Sequence, residues 1–227
     1  GGVNTNVTGF VSMTPVFSVA AGANKGLILD ANIILNGRQF TWTINPDANP
    51  AAWDVEAVVT HEIGHFIGLD HSPVLGSSMG PRYLAGESRQ RSLKDDDTIG
   101  ASEIYPDGDY GISTGAISGS VGRPAGVFGA MVAIMDSGGT VVEESISGTT
   151  GAYVAPGLST GTYDVYAEPI DEVPASSTNL FDETDLGGIY GATVDPNFFA
   201  TLYASTTVTA PATTARAIPV GSTPPAI

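Results

Sequence analysis

The sequence predicts an α+β domain followed by an all-β one, and three observations carry that prediction. Apolar residues recur at three- and four-residue steps over 55–67, the spacing of a helix with one buried stripe. From about residue 115 the period drops to two, in short runs parted by Gly-rich turns, as in a β-sandwich. Between these regions, Pro-Asp-Gly-Asp-Tyr-Gly-Ile-Ser-Thr at 106–114 has the composition of a linker. The expected division is residues 1–106, a linker at 107–114, and a sandwich over 115–227.

Residues 7–45 read as strands: Gly9 to Ser12, Pro15 to Val19 and Leu27 to Leu29 are short apolar runs punctuated by Gly and Asn. Asn32 to Leu35 and Phe40 to Ile44 flank Asn36-Gly37, a strong hairpin dipeptide. A long helix should follow Pro46 and Pro50. Asp54 is its expected N-cap, Glu56 suits its first turn, and Val55, Val58, Val59, Ile63, Phe66 and Ile67 form its stripe. Gly68 supplies the left-handed residue that ends it. A second helix is expected from Leu93 to Tyr105, capped by Ser92 and stopped by Pro106. Beyond the linker, strands are expected at 116–121, 131–135, 140–143, 153–154 and 162–167, with a hairpin turn at Asp136 to Gly139. Pro174 to Gly191 reads as an acidic loop, alternation returns at 200–203 and 206–209, and the end is rich in Pro, Thr and Ala.

The net charge of −16, with Lys25 and Lys94 as the two lysines, repels nucleic acid and anionic lipid and makes both poor partners. No apolar run is long enough to span a bilayer, so membrane insertion is not expected. Cysteine is absent, which excludes disulfides, a thiol nucleophile and Cys-ligated metal. The chain starts at Gly1-Gly2 without a leader pattern, as expected of a processed form or a fragment. Sparse Lys with abundant Gly, Thr, Ser and Ala suits a secreted or cell-surface bacterial protein. Some of the carboxylates could hold calcium, although Asp107-Gly108-Asp109 is too short to be a calcium loop.

All three histidines fall in the eleven-residue run His61-Glu62-Ile63-Gly64-His65-Phe66-Ile67-Gly68-Leu69-Asp70-His71. Positions i and i+4 lie one above the other on a helix, so His61 and His65 present two imidazoles to one point. The break at Gly68 lets the chain turn and return His71 to that point. Three nitrogens leave the fourth position of a tetrahedral Zn2+ open to water, the catalytic arrangement. Glu62, beside a ligand but not one itself, is placed to take a proton from that water.

This run, followed by a methionine turn, resembles the signature of the metzincins, and the matrixin branch in particular. Ser72 follows the third histidine as in matrixins. Ser77-Ser78-Met79-Gly80-Pro81-Arg82-Tyr83 is similar to their Met-turn and the wall beyond it. Asp96-Asp97, Gly100 and Ile104-Tyr105 are similar to their C-terminal helix. The resemblance covers about residues 27–106. It implies a twisted sheet with an active-site helix and a C-terminal helix, and one catalytic zinc on His61, His65 and His71. It also implies Met79 as apolar floor, and Ala57, Pro81 and Tyr83 as walls of the pocket for the side chain after the cut. Sixty residues precede His61, fewer than the family has, so its first strands and first helix are expected to be shortened or missing. Gly80 stands where a larger residue is usual, and no histidines remain for a second, structural zinc site. The region from Gly115 resembles the carboxypeptidase-regulatory-like, immunoglobulin-like β-sandwich appended to secreted enzymes, on its strand rhythm and on Ser159 to Tyr163.

The expected function is a zinc-dependent endopeptidase acting on protein or peptide substrates, with Glu62 as general base. An extended substrate would pair with an edge strand, for which Asn32 to Leu35 is a candidate. Two rivals are a surface or filament protein whose peptidase half is scaffold, and an adhesive sandwich, bound to a surface or matrix, that carries a passenger enzyme.

Overall fold

The computed structural model describes residues 10–74, 76–81, 84–122, 126–170 and 191–221, and the chain mixes helices and sheet. Among the described residues six short strands come first: β1 (Ser12–Met13), β2 (Val16–Ser18), β3 (Ile28–Ala31), β4 (Ile34–Leu35), β5 (Trp42–Thr43) and β6 (Trp53–Asp54). They form three separate ladders instead of one twisted sheet. β1 pairs with β4 and β2 with β3, both antiparallel, while β5 and β6 run parallel. The expected hairpin at Asn36-Gly37 is replaced by a local turn. The Asn36 Oδ1 accepts the backbone N–H groups of Arg38 at 3.2 Å and Gln39 at 3.1 Å. Its Nδ2 donates to the Phe10 carbonyl at 3.0 Å, which ties this corner to the segment before β1. β4 therefore pairs backwards with β1, and β5 is left to meet β6.

Helix α1 (Val55–Phe66) begins where the sequence says it should. The Asp54 carboxylate accepts the N–H groups of Glu56 at 2.9 Å and Ala57 at 3.0 Å, satisfying donors that have no partner within the helix. Its end is a Schellman closure: Leu69 N–H reaches the Gly64 carbonyl and Gly68 N–H the His65 carbonyl, both at 2.9 Å, with Gly68 at φ +101°. The buried side differs from the expected stripe. Ala57, Val58, His61, Glu62 and Gly64 are buried, whereas Ile63 and Phe66 are 48% and 44% exposed. What is pressed against α1 decides this, and the β1 segment and the Met79 loop lie on the histidine side.

A 3₁₀ turn at Arg89–Arg91 leads to α2 (Asp95–Ile104). Ser92 does not cap that helix. Lys94 occupies the cap position, and Asp97 reaches back to accept its backbone N–H at 2.8 Å. The stretch expected to be linker contains a four-residue helix, α3 (Tyr110–Ser113). It is started by the Asp107 carboxylate, which accepts the N–H groups of Asp109 and Tyr110 at 3.0 and 2.7 Å.

The remaining strands are β7 (Gly115–Gly122), β8 (Ala130–Met135), β9 (Val141–Ile146), β10 (Ala152–Leu158), β11 (Gly161–Pro169), β12 (Thr201–Val208), β13 (Thr213–Ala215) and β14 (Ile218–Pro219). One sheet has the order β12-β11-β8-β9. The other is β10-β7-β13, with β14 also on β7. The Asp136 turn joins β8 to β9, its Oδ1 accepting from Gly138 and Thr140. The runs expected at 200–203 and 206–209 are one strand, interrupted by Ser205 at φ +60°, whose N–H is caught by Asp164 at 2.8 Å. Ile117, Val121, Val132, Ile134, Val165 and Val208 belong to one fully buried cluster fed by both sheets. The acidic stretch 171–190 lies outside the described residues.

Both apolar clusters of buried residues found among the described residues fall at 117–220. Among the described residues of the first hundred, a few buried apolar side chains (Val58, Val74, Met79) are accompanied by polar contacts of Asp54 with Arg91, of Asp97 with Ser78 and Met79, and of Ser78 with Gln90. Among the described residues, no helix is long and apolar enough to cross a membrane.

Candidate metal centre

α1 carries His61 and His65 one turn apart, and the Schellman closure at Gly68 reverses the chain so that His71 faces them. Ring centroids are 4.6 Å apart for His61 and His65, 4.8 Å for His65 and His71, and 5.3 Å for His61 and His71. One nitrogen from each ring lies within 4.8 Å of the others. The Nδ1 of His61 is 2.8 Å from the Ser78 carbonyl and that of His65 is 2.9 Å from the Leu69 carbonyl. A carbonyl only accepts, so each Nδ1 carries the proton and each Nε2 keeps its lone pair for a ligand bond. Burial, and then the neighbouring His65 and His71, push the His61 imidazole down to about 3, so it is neutral at any ordinary pH. Two imidazoles oriented in this way, with that of His71 facing them, fit a zinc ion.

The floor under the histidines is the loop at 77–80, held by one carboxylate. Asp97, buried on α2, accepts Met79 N–H through Oδ1 at 3.0 Å, and Ser78 N–H through Oδ2 at 2.8 Å. Ser78 Oγ donates to the Gln90 carbonyl, and Gln90 donates to the Gly80 carbonyl. Met79, 3% exposed, packs against Gly64. A Cβ at residue 64 would come within 2.0 Å of the Met79 sulfur, so only glycine lets helix and floor meet this closely. The His71 loop is anchored by Ser72, whose hydroxyl donates to Asp96.

Glu62 is buried beside this centre, and the Thr14 hydroxyl, just after β1, donates to its Oε2. The centre opens into a cleft of about 840 Å3 lined by His61, His65, His71, Glu62, Thr14 and Pro81, among others. The cleft is bordered by residues 10–18, through Phe10, Ser12, Met13, Thr14, Val16 and Ser18, and by Gly26, Leu27 and Ile28, whereas Asn32 to Leu35 do not line it. Ala57 is 2% exposed and does not line the cleft. Tyr83 lies outside the described residues. Thr14 and Gly64 were missed by sequence reasoning. Thr14 is far from Glu62 in sequence, and nothing in its neighbourhood marks it. Gly64 could have been flagged as a glycine inside a strong helical pattern, which usually has a packing reason.

The matrixin family matches residues 19–106. The matrixin stretch is similar to metalloendoproteinase 4-MMP of Arabidopsis thaliana, 39% identical over 67 residues, covering 29% of this chain and 19% of that protein. It is also similar to matrilysin of Rattus norvegicus, 46% identical over 48 residues, covering 21% and 18%. Neutrophil collagenase of Homo sapiens is 42% identical over 65 residues, covering 29% and 13%. The chain thus spans less than a fifth of the length of each of these relatives. Among solved structures, the major pilin BcpA of Bacillus cereus overlaps 49% of this chain and 31% of its own at a TM-score of 0.30 and 13% identity, too low to assign a fold.

Proposed function

We propose that the chain is a zinc endopeptidase of matrixin type, with His61, His65 and His71 as metal ligands and Glu62 as general base. The observation that carries this reading is the convergence of three imidazoles, one nitrogen each within 4.8 Å, beside a buried glutamate at the end of an open cleft. Zinc held there supplies a Lewis acid for the scissile carbonyl and lowers the pKa of water to about 7. Glu62 takes a proton from the attacking water and delivers it to the departing amine. Thr14 orients the Glu62 carboxylate through a hydrogen bond from its hydroxyl to Oε2. Met79 and Gly64 keep the helix at a fixed height above the floor. An extended substrate lies along residues 12–14, with Pro81 forming part of the wall for the side chain after the cut.

The strands from Gly115 are read as a carboxypeptidase-regulatory-like sandwich, supported by two sheets that share one buried cluster. Secretion and a protein substrate are part of the same proposal. The test is zinc content and cleavage of an unfolded protein, with and without chelator, in wild type and Glu62→Ala. Retained zinc with lost cleavage supports the assigned roles; unchanged cleavage in the variant removes Glu62 from the reaction.

A further inference from the structure

α2 leaves the zinc floor and lies across the seam where the edge strands β9 and β10 of the two sheets meet. Asp96 is the polar link across that seam. Its Oδ2 accepts the Ser72 hydroxyl and its Oδ1 accepts the Glu144 N–H at 3.2 Å. The neighbouring residue, Glu143, stands in register with the fully buried Ile134, so its side chain is turned to the inner face of the sheet. It is 6% exposed, and its Oε2 is buried without a hydrogen-bond partner. A carboxylate in that position is among the costliest groups a protein can bury.

Around it is a chamber of about 230 Å3 whose lining includes Asp96, Glu103 and Glu143 together with Asp70, His71, Met79 and Asp97, and no Lys or Arg; Glu144 borders it too, but in register with Ala133 its side chain turns to the face opposite that of Glu143. Burial and the charges of Asp96, Glu144 and Glu103 together hold the Glu143 carboxyl well above the usual range. Glu144 is pushed up to about 8 by burial, Glu168 and Asp96. Every charge bearing on the buried oxygen is therefore of its own sign. The acids come from three places, the first turn of α2, its last turn and β9. Such a set has oxygen donors only, no rigid octahedral frame, and room for water to complete a shell. Those are the requirements of calcium, which takes six to eight oxygens in flexible geometry, and not of magnesium.

We propose that this chamber binds one calcium ion, with Glu143 as the buried ligand and Asp96 and Glu103 as the further carboxylates, clamping α2 to the edge of the two sheets. Among the described residues only the histidines already converge at ligand spacing. The carboxylates of Glu143, Asp96 and Glu103 repel one another, and the cation draws them together. The chamber borders the histidine centre through His71 and Met79, but the acids proposed as ligands are not among the histidine ligands and the test involves no cleavage, so the proposal and the peptidase reading fail separately.

The test is calorimetric titration of calcium chloride into the zinc-loaded, calcium-depleted full chain, paired with thermal melts at the same calcium concentrations. One calcium per chain is expected, with a Kd on the order of 10⁻⁴ to 10⁻³ M or tighter and a melting temperature that rises with calcium. Glu143→Gln should weaken binding about ten-fold or more, since it removes the buried charge, and Glu103→Gln at the exposed rim should weaken it less. Asp47→Asn, remote from the chamber, should bind as wild type. Absence of calcium uptake up to millimolar concentration overturns the proposal, as does a Glu143→Gln protein that melts cooperatively and binds calcium like wild type. A folded Glu143→Gln chain that still shows the full calcium-dependent rise in melting temperature would also overturn it.

Discussion

Replacing Asp97 by asparagine should be the most damaging conservative change in the first hundred residues. The carboxylate accepts three backbone N–H groups: Met79 on Oδ1 at 3.0 Å, and Ser78 and Lys94 on Oδ2, both at 2.8 Å. Asparagine has one carbonyl oxygen and an NH2 that cannot accept. In its better orientation it keeps Ser78 and Lys94 and turns the NH2 against the Met79 N–H. An orphaned buried donor costs about 1–3 kcal/mol, and two bonds that fall from charge-assisted to neutral lose about 1 kcal/mol each. The sum is a loss of about 3–5 kcal/mol, a drop of roughly 6–20 °C in melting temperature for a chain of this size. Urea denaturation of wild type and variant, both with saturating zinc, measures it. The floor beneath the histidines should loosen as well, so zinc affinity should fall with stability. A loss under about 1 kcal/mol, within the range of an ordinary surface change, would mean that the carboxylate is not what holds the 77–80 loop.

Gly64→Ala sets a helix gain of about 1 kcal/mol against an overpacking cost of about 1–3 kcal/mol from the Met79 sulfur. Denaturation should show a net loss in wild-type background and a gain when Met79 is also alanine. Asp54→Ala should cost about 2–3 kcal/mol, because it removes both the cap of α1 and the acceptor of Arg91, whose Nε and Nη2 lie at 2.9 and 2.6 Å. Burial raises the Asp54 carboxyl, but the Arg91 guanidinium and the two amide N–H groups outweigh it and bring it below 3.8. A lowered carboxyl stabilises the fold above its unfolded value and is lost as pH falls through the folded one. The deficit of the alanine variant should therefore shrink below pH 3.8 in acid denaturation series. Glu143 and Glu144 have the opposite sign: the folded chain holds their protons more tightly than the unfolded chain. Without calcium, stability should fall as pH rises from 4.5 towards about 8, and Glu143→Gln should flatten that slope.

The convergence of the three histidines was legible because its constraints are local. One helix turn fixes His61 and His65, a positive φ at Gly68 fixes the reversal, and His71 follows three residues later, so spacing alone implies convergence. The cap at Asp54 and the Asp136 turn were legible for the same reason. What sequence could not supply was anything decided by distant partners. The Asn36-Gly37 dipeptide is a good hairpin turn, but the contact of Asn36 with Phe10 sends β4 to β1 instead. The apolar stripe on α1 is real, yet Ile63 and Phe66 stay exposed because the elements packed on the helix lie on its histidine side. Ser92 lost the second helix start to Lys94 because Asp97 closes that turn while also gripping the floor loop. Thr14 could not be found, since its role depends on β1 lying alongside α1.

These misses share a cause that bears on how the molecule is held together. The large apolar cluster belongs to the strands after Gly115, whereas the half that carries the histidines buries few large side chains beyond Val58, Val74 and Met79 among the described residues. That half must take its rigidity from carboxylates that grip backbone N–H groups, and such grips leave little trace in hydrophobic periodicity. Asp54, Asp96 and Asp97 each serve two elements at once. Asp96 joins the loop of the third histidine to β9, so the geometry of His71 is tied to the seam with the sheets. The strands after Gly115 are on this account a brace for the metal centre, acting through Ser72, Asp96 and Glu144. A brace built from acids alone holds only when their mutual repulsion is cancelled, and a cation in the chamber beside Glu143 would cancel it where Asp96 needs it.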